Sequence, residues 1–173
     1  MPATPPVSDT SAPAVDAALP AGWQRVPWQG LSIPLPPEAT GIEPFHTTTS
    51  DATHNLPLLA SGMVAFPPPT PEGGAIGEYP LPPTFTLLEF PGTLADWIAL
   101  EEQITPGEDG GVMEPIEPLR IAGREALHYQ RTAPGFNYND YYVLKVTDTT
   151  LLWIYTDAEA FGAMIDGLII TAP

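Results

Sequence analysis

Cysteine is missing from all 173 residues of the chain. Its absence excludes a disulfide framework, a thiolate zinc site and a cysteine nucleophile. It leaves the compartment open, because a domain of this size buries enough surface to fold without staples. Basic charge is almost missing too. Five Lys plus Arg, of which Lys145 is the single lysine, stand against 21 Asp plus Glu, for a net charge of −16. Such a chain repels phosphate backbones and anionic headgroups, so nucleic acid is not an expected partner. Long apolar runs are lacking as well: "LLWIY" and "LIIT" fall far short of the roughly 20 residues a membrane span needs. The acidity suits solubility, a basic partner or a cation.

Proline, by contrast, is abundant, at 24 residues, and it marks the organisation of the chain. Residues 1–22 open with "MPATPPVSDTSAPAVDAALP", which holds five prolines, no basic residue and few large apolar side chains. It buries too little to offset ordering entropy and is expected to be a flexible tail or tether. It lacks the charged and apolar regions of a signal peptide but has the composition of the linker that follows one, which points to an export signal or lipid anchor upstream. Residues 23–173 then read as a single domain, with a proline-rich insertion at about 67–83 that carries seven prolines and three glycines.

Within the domain, Trp23, Arg25 and Leu31, Ile33, Leu35 alternate around a turn at Gln29-Gly30 and predict two short strands. Pro34 and Pro36 place that piece at a sheet edge. "LPLLASGMVAF" and "TFTLLEF" are further strands. In "TLADWIALEEQI" Thr93 and Asp96 form a variant capping box, and Leu94, Trp97, Leu100 and Ile104 share a helix face, with Glu101 at its edge reaching to solvent. In "DAEAFGAMIDG" Asp157 caps a second helix that Gly167 ends. "LRIAGREALHYQ" predicts strand, turn and strand, with Leu127 and Tyr129 on one face and Ala126, His128 and Gln130 on the other. "DYYVLKVTDTTLLWIYTD" is a hairpin whose strands are apolar on both sides, so both sides should be covered. The expected fold is α+β, an antiparallel β-sheet with helices packed on it.

Chemistry-bearing constellations are sparse. "FHTTTSDATH" brings His46, Asp51 and His54 together in a polar loop, two imidazoles and a carboxylate that suit a divalent metal. "TPGEDGGVMEPIEP" offers Glu108, Asp109, Glu114 and Glu117 in an acidic loop without the ligand ladder of an EF-hand. Phe136 and Tyr138 in "APGFNYNDYY" stand near a turn, where aromatic side chains serve as interface anchors. His128, tied to no serine or carboxylate by motif, reads as a structural histidine. No Gly-x-Ser-x-Gly elbow, phosphate-cradling loop or His-Glu-x-x-His is present.

The order of these pieces resembles the PsbP-like superfamily across residues 23–173: the early Trp, "LSIPLPPEA", "TLADWIALEEQI", "LRIAGREALHYQ" with Gly123 and Ala126, "YYVLKVTDTTLLWIYT", and "AFGAMIDGLIITAP". That group includes the extrinsic PsbP subunit of photosystem II, bacterial lipoproteins, secretion-system chaperones and Mog-type Ran-binding proteins. The resemblance implies an α/β/α sandwich and a non-enzymatic binding or assembly module. Such a module would sit outside the cytoplasmic membrane, tethered through its tail and docked on a protein partner. The alternatives are a cytoplasmic adaptor or chaperone for a basic or membrane-destined client, and a weak divalent-cation binder. Residues 42–83 depart from the compact middle of the group.

Overall fold

The computed structural model describes residues 18–45, 53–67, 82–104, 112–131 and 139–171. In chain order these form β1 (Gln24–Trp28), β2 (Leu31–Leu35), β3 (Gly41–Pro44), β4 (Leu58–Ala65), β5 (Thr84–Glu89), α1 (Leu94–Ile104), β6 (Val112–Ile121), β7 (Arg124–Arg131), β8 (Asn139–Lys145), β9 (Thr150–Thr156), α2 (Ala158–Asp166) and β10 (Ile169–Ile170). Strands take up 52% of the described residues against two short helices, so the domain is richer in β structure than the expected sandwich.

Seven strands form one antiparallel sheet in the order β3-β4-β5-β9-β8-β7-β6, and β1-β2-β10 form a smaller one. The large sheet is apolar on both faces, as its hairpin sequence requires. One face carries Phe85, Leu87, Leu144, Leu152 and Ile154, which pack against Leu31, Ile33 and Leu35 of β2 and Phe161, Met164, Ile165 and Leu168 in and just after α2. The other carries Leu88, Tyr129, Val143 and Leu151, which pack against Trp97 of α1. Each large side chain so buried contributes roughly 1.5–3 kcal/mol.

Both helices start where the sequence places their caps. The Asp96 carboxylate accepts from Thr93 N at 2.8 Å and from Thr93 Oγ1 at 2.7 Å. Those bonds, the backbone one foremost, hold Asp96 below the usual carboxylate range. Asp157 accepts from Glu159 N and Ala160 N, and Gly167 closes α2 by donating to the Ala163 carbonyl at 3.1 Å. The turn at Ala122-Gly123 has φ of 51° and 76°, and Gln29-Gly30 has 48° and 76°. Positive φ at both central residues is the turn whose twist matches a hairpin.

Two expectations need correction. β2 is the middle strand of its sheet, not an edge. It tolerates Pro34 because β10 pairs only with Leu31 and Ser32 and stops short of the proline. Residues 112–118, which include Pro115 and Pro118 and read as loop, belong to β6. Among the described strands its one neighbour is β7, so its missing N–H groups need not break a ladder. Its pairing is irregular between Met113 and Glu117. The opposite edge, β3, is four residues long and ends in Pro44. Short, proline-bearing edges discourage strand addition by another chain.

Candidate functional site

α1 presents Trp97 and Glu101 four residues apart on one helix face, and both are fully buried. Facing them, Tyr129, Tyr141 and Trp153 line up across β7, β8 and β9. The Tyr129 and Tyr141 rings stack at 5.5 Å, and Tyr141 and Trp153 at 5.4 Å. The indole N–H groups of Trp97 and Trp153 both donate to Tyr129 Oη, each at 3.0 Å. His54, from the segment before β4, wedges its ring between Trp97 at 4.4 Å and Trp153 at 4.8 Å. Its Nε2 meets Glu101 Oε1. Arg131 Nη1 lies 3.2 Å from Glu101 Oε2, and its guanidinium sits 5.6 Å over the Tyr141 ring.

A carboxylate removed from water costs several kcal/mol unless its charge is matched and its oxygens are bonded. Here each Glu101 oxygen faces a nitrogen of a different basic side chain. An ionised Glu101 can only accept, so His54 Nε2 is the donor. Burial pushes the Tyr129 hydroxyl up from its ordinary range, and the Glu101 charge adds to this. Burial likewise takes Tyr141 to about 12. These phenols therefore remain neutral at ordinary pH. The side chains of His54 and Glu101 are both 0% exposed, which keeps any substrate from their proton. The cluster fastens three chain segments together: the stretch before β4, the middle of α1 and the end of β7.

On the opposite face His128 lies between two carboxylates. Its Nδ1 is 3.1 Å from Glu117 Oε2, its Nε2 is 2.7 Å from Asp140 Oδ1, and its ring stacks on Tyr142 at 4.6 Å. Gln130 Nε2 also donates to Asp140 Oδ1, at 3.0 Å. Burial, then the charge of Asp140, takes Tyr142 to about 12.

A third feature is an open cleft of about 680 Å³ at the start of α1, lined by Gly92, Thr93, Arg124, Glu125, Lys145 and Asp148 among others. Lys145 Nζ donates to the carbonyls of Phe90 and Gly92 and lies 5.4 Å over the Phe90 ring. Burial lowers its pKa, opposed by the nearby charge of Asp148. The lysine is thus engaged in holding the β5–α1 connection.

The described residues include only some of the predicted site residues. His46, Asp51, Phe136 and Tyr138, with Glu108 and Asp109, lie outside the described residues. His54 is buried rather than displayed on a polar loop, and its imidazole is turned to Glu101. Glu101, expected to reach solvent, is buried, with His54 against one of its oxygens and the Arg131 guanidinium against the other. Among the described residues no group of three His, Asp or Glu side chains is arranged to hold a metal ion. Nor is any described helix long and apolar enough to cross a membrane. Two features of the sequence could have marked single members of the cluster, though not their convergence: a glutamate at the edge of an apolar helix stripe, and an arginine continuing the Leu127, Tyr129 alternation. No protein-family model matches the chain, and no curated protein matches it in sequence.

Proposed function

We propose that the chain is a non-enzymatic binding module, a PsbP-like domain tethered outside the cytoplasmic membrane through its N-terminal segment and docking on a basic surface of a protein partner. The observation that carries this reading is the acidic excess of the chain, whose few basic side chains are mostly also fastened to the protein itself. Arg25 donates to the Gly167 carbonyl, Arg120 to that of Gly123, Lys145 to those of Phe90 and Gly92, and Arg131 faces Glu101. Four of the five basic residues are thus engaged with oxygens of the protein itself, in a chain of net charge −16. Bonds to neutral carbonyls leave those cations charged, so the negative potential rests on the excess of 21 Asp plus Glu over five Lys plus Arg. A surface of one sign steers and orients a partner of the other.

The use of the histidines supports the same reading. His54 and His128 both face carboxylates of the protein, as positioning groups do, and neither lines the cleft beside α1. The layer order, with α1 on one face of the large sheet and α2 with the small sheet on the other, fits an α/β/α arrangement.

The test begins with the intact mass and N-terminal sequence of the protein from its source cells, followed by cross-linking in place. A processed or acylated N-terminus is expected, together with a complex of fixed stoichiometry. The partner, purified alone, should rebind the chain more weakly as salt rises. An unprocessed N-terminus would move the protein to the cytoplasm and favour an adaptor for a basic client. Rebinding indifferent to salt would overturn the electrostatic reading.

A further inference from the structure

We propose that Trp97, Trp153 and Glu101 form a binding box for an imidazole-type ring, filled from within by His54 until a ligand of the same chemistry replaces it. The chemistry of the box is read from its present occupant. The His54 ring lies 4.4 Å from Trp97, tilted by 40°, and 4.8 Å from Trp153, edge-on at 88°. Its Nε2 meets Glu101 Oε1, with both side chains closed off from solvent. Aromatic faces and edges hold any flat aromatic ring. The carboxyl oxygen adds a demand: whichever atom carries the shared hydrogen, a nitrogen must stand opposite it. A hydrocarbon ring would leave that buried oxygen unmet, which is costly. The box therefore takes a small aromatic ring that bears nitrogen at one defined edge.

The walls of the box are fastened to one another without His54. Both indole N–H groups donate to Tyr129 Oη, each at 3.0 Å, and Tyr141 stacks on Tyr129 and on Trp153. Phe90, just after β5, meets Trp97 edge-on at 5.6 Å. Arg131 Nη1 lies 3.2 Å from the second Glu101 oxygen. These side chains belong to α1 and to neighbouring strands of the large sheet. With the His54 ring withdrawn, the two indoles and the carboxyl oxygen stay where these contacts put them. What remains is a lined site rather than a gap that collapses, and a preformed cavity of this kind binds a ring that fits it.

His54 itself is carried by a segment of a different kind. It is buried, yet Thr53 and Asn55 on either side of it are exposed, and Leu56 and Leu58 are only partly buried. Asn55 has a φ of 56°, in the left-handed region. This strap, residues 53–57, lies ahead of β4, whose register with β5 shifts between Leu58 and Ala60. Segments with few buried contacts open locally at a lower free energy than the core does. Lifting the strap takes the ring away and leaves the walls. In the closed chain His54 competes for the box, so the apparent affinity of a ligand is scaled down by the fraction of open molecules.

The experiment titrates the whole chain and its His54→Gly variant with 4-methylimidazole, followed by the emission of the flanking tryptophans and by Tm. Thiophene, a five-membered aromatic ring without nitrogen, is the control. His54→Gly should show a saturable emission change and a rise in Tm with 4-methylimidazole, and neither with thiophene. The wild type should bind about ten- to a thousandfold more weakly, the range for a minor open state. A folded His54→Gly that ignores 4-methylimidazole, or that takes thiophene equally well, would overturn the proposal. A capped Gly-His-Gly peptide separates the sources: its binding marks the histidine of a partner, and its failure beside 4-methylimidazole marks a free small molecule. Should the variant not fold, acylation of His54 by diethylpyrocarbonate decides the matter in the wild type. At low urea its rate should be nearly independent of denaturant, as for local opening, whereas the full m-value of global unfolding would mean that the strap never lifts.

Discussion

His54 and Glu101 meet side chain to side chain with neither exposed to solvent, although 47 residues separate them in the chain. Arg131 closes the other side of the same carboxylate. Glu101→Ala would therefore leave two basic side chains facing an apolar gap. The expected loss of stability is about 3–5 kcal/mol, as for other buried pairs that lose one member. Replacing His54 and Glu101 together by leucine removes the contacting pair but leaves Arg131 without its carboxylate, so it should recover only part of that loss. Urea unfolding followed by tryptophan emission measures both, because Trp97 and Trp153 flank the His54 ring.

Tyr129 serves as acceptor for two indoles at once. Tyr129→Phe conserves the stacked ring and deletes only the oxygen. Trp97 is fully buried, so its N–H would be left without an acceptor, while the part-buried Trp153 can turn to water. A loss of about 1–3 kcal/mol follows from one buried donor left unmade. Chemical denaturation should show it with an unchanged m-value, since the surface exposed on unfolding stays the same.

The phenols also set an alkaline limit. Tyr141 and Tyr142 are taken to about 12 by burial, and Tyr129 is raised as well. An unfolded tyrosine ionises near 10. Between those values the unfolded chain gives up protons that the folded chain keeps, so stability falls as pH rises. On this account stability is fully present below about pH 10 and drains away between about 10 and 12. Thermal unfolding scans across that range should show Tm falling. The share of tyrosinate absorbance due to Tyr129, Tyr141 and Tyr142, taken as the difference from their Phe variants, should rise in step with unfolding rather than before it.

Much of the layering was legible from patterns of local origin. The caps at Thr93 and Asp157, the turns at Gln29-Gly30 and Ala122-Gly123, and the two-faced hairpin strands all depend on near neighbours, and the structure has them as expected. Two things were not legible, for different reasons. The first part of β6, residues 112–118, was hidden because proline and glutamate mark a loop by composition, yet an edge strand tolerates both. The buried cluster was hidden because its members come from three distant segments. No spacing rule reports that a histidine before β4 and an arginine at the end of β7 will converge on one helix glutamate. The partners of His128 escaped for the same reason: Glu117 and Asp140 are neighbours across strands, not along the chain.

Gly167 joins three elements in one contact, and its substitution tests how tightly they are fitted. It ends α2, its carbonyl accepts from Arg25 Nη1 of β1 at 2.5 Å, and its α-carbon faces Pro34 of β2. A Cβ added there would lie 2.7 Å from Pro34 Cγ and 3.1 Å from the Ala163 carbonyl oxygen. Its φ of −93° is open to any residue, so backbone conformation is not the obstacle. The obstacle is room: a pyrrolidine ring cannot rotate away, and the carbonyl belongs to the helix itself. Gly167→Ala must push α2 off the small sheet, with an expected cost of about 1–3 kcal/mol, the range for an overpacked core. Because Arg25 is fastened to the same residue, amides of β1 should lose exchange protection along with those of α2. If β1 kept full protection while α2 loosened, the Arg25 bond would not be what couples them.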